Sequence, residues 1–220
     1  MSKYAVGDIQ GNYKVWEKIK TVLKPDDTLY VLGSAMDYGE DGVKIIQEIM
    51  NDSRIVYLFG THDYFFCNRY KYNTSHLHNN NGGSITWQKF SKLTEAAQKK
   101  IYNFLKTRPL FTILINNNSQ EIYLSNNGCE NFKLTEGDFL FHNNYAYDTE
   151  PSKFDFSIHG NITVKEIEGW KRTQNKKSKS GDVVNHWYNK NHLTINNSPA
   201  LTNSAILVNL DTLEERYVTA

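Results

Sequence analysis

Three short stretches in the first third of the chain place carboxylates and an imidazole where they could do chemistry. They read GDIQGN (Gly7–Asn12), GSAMDYG (Gly33–Gly39) and GTHD (Gly60–Asp63). Each opens with a glycine, which lets the backbone turn tightly. Each then presents an Asp or a His: Asp8, Asp37, His62 and Asp63. Gathered in one space, these residue types ligate metal ions and move protons. A single Gly-Asp turn is common loop chemistry. Three in succession at equivalent points call for a common cause.

That cause is the alternation around them. Lys3–Val6, Leu29–Leu32 and Ile55–Phe59 are short apolar runs of strand length, and each precedes one of the three stretches. Between them, Tyr13–Leu23 and Val43–Met50 carry apolar residues at helical spacing. Strand, helix, strand, helix, strand implies parallel pairing with right-handed crossovers, and ligands in such sheets sit at the carboxyl ends of the strands.

The remainder is looser. Tyr64–Tyr72 continues as helix, TSHLHNNNGG (Thr74–Gly83) reads as a loop, and Ile85–Leu105 reads as largely helical. From Leu110 the chain is expected to turn antiparallel, beginning with Leu110–Ile115 and Glu121–Ser125, which flank NNNSQ as a hairpin. Lys133–Ser152 reads as an elaborated loop, and Phe154–Ile158, His192–Asn196, Ala205–Leu210 and the terminal RYVT as strands. No internal repeat or linker divides residues 1–220, so one α/β domain is expected.

Composition bounds the function without naming it. The 25 Lys and Arg against 24 Asp and Glu give a net charge of +1, which does not suit a dedicated duplex-binding domain. Aromatic residues make up 13%, more than a disordered chain carries. No apolar run approaches the ~18 residues of a membrane span. The start, MSKYAVGDIQ, lacks the plan of a secretory signal. Cys67 and Cys129 form no ligand-spaced cluster and read as free thiols. A cytoplasmic location follows as an expectation.

The three loops resemble the GDxHGN, GDxxDRG and GNH(D/E) motifs of calcineurin-like metallophosphoesterases, the family of the serine/threonine protein phosphatases, in its compact bacterial form. NGGSITW (Asn81–Trp87) is similar to that family's NGG stretch. LSNNGC (Leu124–Cys129) stands where its HAG turn belongs, and IHGNIT (Ile158–Thr163) where its GH turn belongs. Ile195–Val218 resembles its terminal hairpin. The resemblance covers nearly the whole chain and implies a four-layer α/β/β/α sandwich with two mixed β-sheets. It also implies two divalent ions about 3.5–4 Å apart that activate a water for attack on phosphorus.

The departures fall on the residues that would hold those ions. Asp8 matches the family's first ligand, but Gln10, Ser34, Thr61, Asn126 and Asn161 stand where the others are expected. Tyr38 replaces the expected phosphate-gripping Arg, so no phosphate-binding residue is expected. Asp37 and His62 match a carboxylate that orients an acid histidine, here a vestigial pair. Neutral amides and hydroxyls hydrogen-bond well but do not offset the repulsion between two dications. No cofactor is expected. If the chain is active, the resemblance implies a divalent metal such as Mn, Zn or Fe.

The favoured reading is a pseudophosphatase, a binding or regulatory protein with an unidentified protein partner. The alternative is an active metal-dependent phosphoesterase with a rewired centre, built on Asp8, His62 and one or more of His76, His78 and His159. A nucleic-acid role for the basic loop Lys171–Lys179 is disfavoured by the near-zero net charge. By itself Asp8 reads as a turn or cap residue before the first helix, and Asp63 as a loop residue or helix N-cap rather than a ligand. His76 and His78 read as solvated loop histidines. Trp87, Trp170 and Trp187 are candidates for lining a groove.

Overall fold

The computed structural model describes residues 1–131, 133–141, 151–163, 187–188 and 191–220. The strands β1 (Lys3–Val6), β2 (Thr28–Val31) and β3 (Ile55–Tyr57) pair in parallel. They are joined by the helices α1 (Tyr13–Val22) and α2 (Gly42–Asn51). Two strands from the end of the chain, β9 (Ser204–Asn209) and β10 (Glu215–Thr219), complete this sheet in the order β10-β9-β1-β2-β3. Both added strands run antiparallel to their neighbours.

The second sheet has the order β4-β5-β6-β8-β7, with β4 (Phe111–Ile115), β5 (Glu121–Ser125), β6 (Phe156–Thr163), β7 (Trp187–Tyr188) and β8 (His192–Asn196). β4 and β5 form the expected hairpin. The expected antiparallel pairing holds for this hairpin and for β9 and β10 but is corrected in between, where β5, β6 and β8 pair in parallel. β7 pairs antiparallel with β8.

Strand alternation builds the layers. Ala5, Leu32, Ile206 and Val208 point from the first sheet into a core shared with Ile122, Leu124, Ile158 and Leu193 of the second. Their strand neighbours Val6, Val31, Ala205 and Leu207 point the other way, into a core with Trp16, Ile19, Ile46 and Phe66 of the helices. The helical layer continues through α3 (Thr61–Tyr72), α4 (Ser75–Asn80), α5 (Ser84–Phe90) and α6 (Glu95–Lys106). Phe139 of α7 (Glu136–Phe141) closes a smaller cluster with Tyr123 and Cys129 on the outer face of the second sheet. Two mixed sheets face each other with helices outside, the layering the resemblance implied. Among the described residues no helix is long and apolar enough to cross a membrane.

Local chemistry explains where the elements begin. Asn12, not Asp8, caps α1, its side chain accepting from the Val15 N–H at 3.2 Å. Glu48 on α2 accepts from the Tyr13 hydroxyl, the Trp16 indole and the Lys20 ammonium, which locks α1 against α2. The N-cap of α3 is Gly60, not Asp63; Asp63 sits in the first turn and its carboxylate reaches back to accept from the Gly60 N–H at 2.8 Å. Thr74–Gly83, expected to be a loop, holds α4. Lys133–Ser152, expected to be a loop, holds α7, and the rest of that stretch lies largely outside the described residues, as do Trp170 and the loop Lys171–Lys179. A short last helix, α8 (Pro199–Thr202), precedes β9.

Candidate functional site

The carboxyl ends of β1, β2, β5, β6 and β8 and the start of α3 converge on one cleft of about 610 Å³. Asp8, Gln10, Tyr38, Thr61, His62 and Asn161 line it, and Phe65, Phe141 and Leu201 form part of its wall. Four loop residues that carry side chains have left-handed backbone: Gln10 (φ 52), Ser34 (φ 53), Asp37 (φ 69) and Tyr38 (φ 56). Such backbone costs roughly 1–3 kcal/mol per residue and clusters where a fold has fixed a site.

Asp8 lies at the bottom, 2% exposed. Its Oδ1 accepts from Asn126 Nδ2 at 3.0 Å and its Oδ2 from Asn196 Nδ2 at 3.3 Å. Backbone groups fix both amides. Asn126 Oδ1 accepts from the Thr61 N–H at 3.0 Å, and its Nδ2 also donates to the Leu32 carbonyl at 2.7 Å. Asn196 Oδ1 accepts from the Ser198 N–H at 2.8 Å, and its Nδ2 also donates to the Asn161 carbonyl at 2.8 Å. A backbone N–H only donates and a carbonyl only accepts, so neither amide can be turned round. Both asparagines therefore offer N–H groups to the carboxylate. Burial pushes the Asp8 carboxyl up to about 8, although the charge of His62 and the Asn126 hydrogen bond pull the other way.

A second carboxylate bridges two histidines. Asp37 is fully buried, its Oδ2 3.0 Å from His62 Nδ1 and its Oδ1 3.0 Å from His78 Nε2. Burial alone would raise the Asp37 carboxyl, but the two histidines outweigh it and hold it below the usual range. Burial opposes charge on His62, but Asp37, Asp8 and Asp63 prevail and raise it. Tyr38, in the place of the expected Arg, lies edge-on to the His62 ring at 5.2 Å. A third buried carboxylate, Asp63, accepts from the Tyr57 hydroxyl and from the Gly60 and Ser34 N–H groups. Burial still pushes it up to about 6. It ties the Ser34 loop to the start of α3.

Several sequence readings change here. Asp8 is not a cap but the acceptor of two buried amides. His78 is not a solvated loop histidine; it is fully buried on α4 and bonded to Asp37, 41 positions away. His76 is exposed beside Asn80. His159 does not reach the cleft: it is buried in β6 with its ring against Gly128 and 6.2 Å from that of His192. Burial and then His192 push its imidazole down to about 3. Trp87 does not line this cleft but packs among Phe66, His78 and Phe90. Asn196 carries no role in the sequence reading, and His78 enters it only as a candidate for the rewired centre or as a solvated loop histidine. The one signal for Asn196 was its position at the carboxyl end of a strand. For His78 it was proximity to the Asn81-Gly82-Gly83 stretch.

The dinuclear centre implied by the resemblance does not fit these donors. A dication needs lone pairs converging on it, with enough negative charge to offset a second ion. Around Asp8 the two nearest amides present N–H groups, and Ser34 and Thr61 add only hydroxyls. Among the described residues no group of three His, Cys, Asp or Glu side chains is placed to hold a metal ion.

No protein-family model matches the sequence, and no curated protein matches it. Solved structures do. One is a candidate diadenosine tetraphosphatase, with a TM-score of 0.63 at 11% identity over 98% of this chain and 92% of that one. A metallophosphoesterase from Sphaerobacter thermophilus superposes with a TM-score of 0.56 at 12% identity over 100% and 88%. A protein serine/threonine phosphatase from Saccharomyces cerevisiae does so with a TM-score of 0.53 at 16% identity over 100% and 80%. At these identities the likeness is one of fold, and the fold is that of the calcineurin-like metallophosphoesterases.

Proposed function

We propose that this protein is a pseudophosphatase: a metallophosphoesterase fold that binds a protein partner through its cleft and does not turn over phosphoesters. The observation that carries this reading is the pair of amide N–H groups, from Asn126 and Asn196, on the two oxygens of Asp8. In the dinuclear chemistry of this fold the first carboxylate gives its lone pairs to metal. Here those lone pairs are engaged by neutral donors whose orientation the backbone dictates. The exchange of Arg for Tyr38 supports the same reading, because a bidentate grip on phosphate needs a guanidinium.

The test is metal content and turnover together. The protein is loaded with manganese and zinc, desalted and analysed by elemental mass spectrometry. It is then assayed on p-nitrophenyl phosphate, a phosphoserine peptide and a dinucleoside tetraphosphate. The expected result is no stoichiometric metal, no turnover and the same melting temperature in manganese as in chelator. A metal at 100 times its Kd would add about 2.7 kcal/mol, a rise of roughly 5–10 °C for a chain of this size. A rise of that size, or turnover that survives purification, overturns the proposal.

One observation favours the rewired enzyme instead: His62 keeps its bond to Asp37 and lines the cleft. That reading requires bound metal and activity that His62→Ala abolishes.

A further inference from the structure

Asp37 is held from both sides, and the two sides are chemically different. A carboxylate only accepts hydrogen bonds, so both ring nitrogens that face it carry protons: His62 Nδ1 and His78 Nε2. The other nitrogen of His78, Nδ1, is buried and meets no hydrogen-bond partner among the described residues. A proton there would be a buried donor with nothing to receive it, so Nδ1 carries the lone pair. The other nitrogen of His62, Nε2, makes no hydrogen bond among the described residues, and its ring lines the cleft.

The surroundings are shaped to keep this arrangement. A Cβ on Gly83 would lie 2.2 Å from Nε2 of the His78 ring, so only glycine admits the ring at that point. A Cβ on Gly82 would lie 2.6 Å from the Tyr38 ring, which meets the His62 ring edge-on at 5.2 Å. The two adjacent glycines are thus cradles for the two rings that flank the Asp37–His62 pair. Phe66 and Trp87 close on His78 edge-to-face, at 5.7 and 6.3 Å. The Thr86 hydroxyl takes the Asp37 N–H at 3.0 Å and steadies the loop that carries the carboxylate.

We propose that His78 is a positioning residue: through Asp37 it fixes His62 as the Nδ1–H tautomer and presents His62 Nε2 to whatever occupies the cleft. His78 touches no ligand itself. It denies Asp37 any other orientation, so that Oδ2 stays opposite His62 Nδ1. The relay needs no metal, and it rests on the reading of this cleft as the functional site. Whether the chain also turns over phosphoesters is decided by the separate metal and activity measurements.

The experiment is two-bond ¹⁵N–¹H correlation spectroscopy of the imidazoles in the intact ¹⁵N-labelled protein, with chelator present and at a pH where His62 is neutral. His62→Gln assigns the signals of His62. The expected spectrum of the parent shows His62 in one tautomer, Nδ1–H, and His78 in the other, Nε2–H. In His78→Phe the carboxylate loses one anchor, and His62 is expected to lose its single tautomer. In His78→Gln, whose amide nitrogen reaches the position of Nε2, the parent pattern is expected to return. Gly83→Ala pushes the ring off Asp37 without changing His78, and should reproduce the effect of His78→Phe if that variant does not fold. A parent His62 in the Nε2–H or a mixed form overturns the proposal, and so does an unchanged tautomer in a folded His78→Phe or Gly83→Ala protein.

Discussion

Replacing Asn126 with alanine removes the side chain on which the centre of the cleft depends, and the cost follows from its partners. The side chain is fully buried and makes four hydrogen bonds: from the Thr61 N–H and hydroxyl to Oδ1, and from Nδ2 to Asp8 and the Leu32 carbonyl. The Thr61 hydroxyl keeps a second acceptor in the Leu140 carbonyl. That leaves the Thr61 N–H, Asp8 Oδ1 and the Leu32 carbonyl without the amide. Each orphaned buried group costs about 1–3 kcal/mol. A water in the vacated space recovers part of this, which places the loss near the lower bound, about 3 kcal/mol. Urea unfolding at neutral pH should show that loss with an unchanged slope, and the melting temperature should fall by roughly 6–12 °C. Asn126→Asp is a sharper companion. It keeps an acceptor for the Thr61 N–H but sets a second carboxylate against Asp8, and two adjacent carboxyls share a proton. Its deficit should grow as pH rises from about 4 toward neutral. If Asn126→Ala costs less than about 1 kcal/mol, the hydrogen-bonded centre is not what holds the strand ends together, and the reasoning fails.

Two further outcomes follow from the same geometry. The Asp8 carboxyl titrates at about 8 in the folded chain against an ordinary 3.8, so the folded state keeps a proton that the unfolded state releases. Stability should therefore fall as pH rises from about 4 to about 8, and Asp8→Asn should remove that part of the slope. Urea midpoints at pH 5 and pH 8 measure it, and an equal parent–variant gap at both would show that Asp8 is not held protonated. Asp63 acts with the same sign up to about 6, which the parent–variant difference cancels. Gly11 has φ +66, and a Cβ there would lie 2.6 Å from the Gly39 carbonyl oxygen. Gly11→Ala should cost about 2–4 kcal/mol from strained backbone and forced separation of the first two loops. A loss under about 1 kcal/mol would show that these loops separate freely.

The first sheet was legible because buried parallel strands read as unbroken apolar runs between helices of clear period, and each run ended in a Gly-turn carrying an Asp or a His. The second sheet was only half legible. Its hairpin is local and announces itself. The parallel pairing of β5, β6 and β8 joins segments far apart in the chain, and no residue pattern within any of them distinguishes parallel from antiparallel neighbours. α4 escaped notice for a different reason. Ser75–Asn80 is short, rich in Asn and His, and lacks an apolar stripe. What seats it is a polar contact, from His78 to an Asp37 that lies 41 positions earlier.

The replaced ligand positions illustrate a limit that belongs to the chemistry of the amide. From the residues alone Asn126 is a lost histidine, a statement about what is missing. An asparagine offers both a donor and an acceptor, and which end meets Asp8 decides whether the position is a poor metal ligand or a direct substitute for the metal. Two backbone groups decide it. The Thr61 N–H takes the oxygen and the Leu32 carbonyl takes the nitrogen, so the N–H end is what remains for Asp8. Asn196 is fixed in the same sense by Ser198 and Asn161. The carboxylate to which the resemblance assigns a dication is thus satisfied on both oxygens by neutral donors. Restoring a histidine at position 126 alone would leave the Asn196 N–H on Asp8 and a serine at position 34, where the bridging carboxylate is expected. The backbone contacts that orient the two amides come from both sides of the cleft, so on the proposed reading a single substitution at position 126 does not rebuild a metal centre.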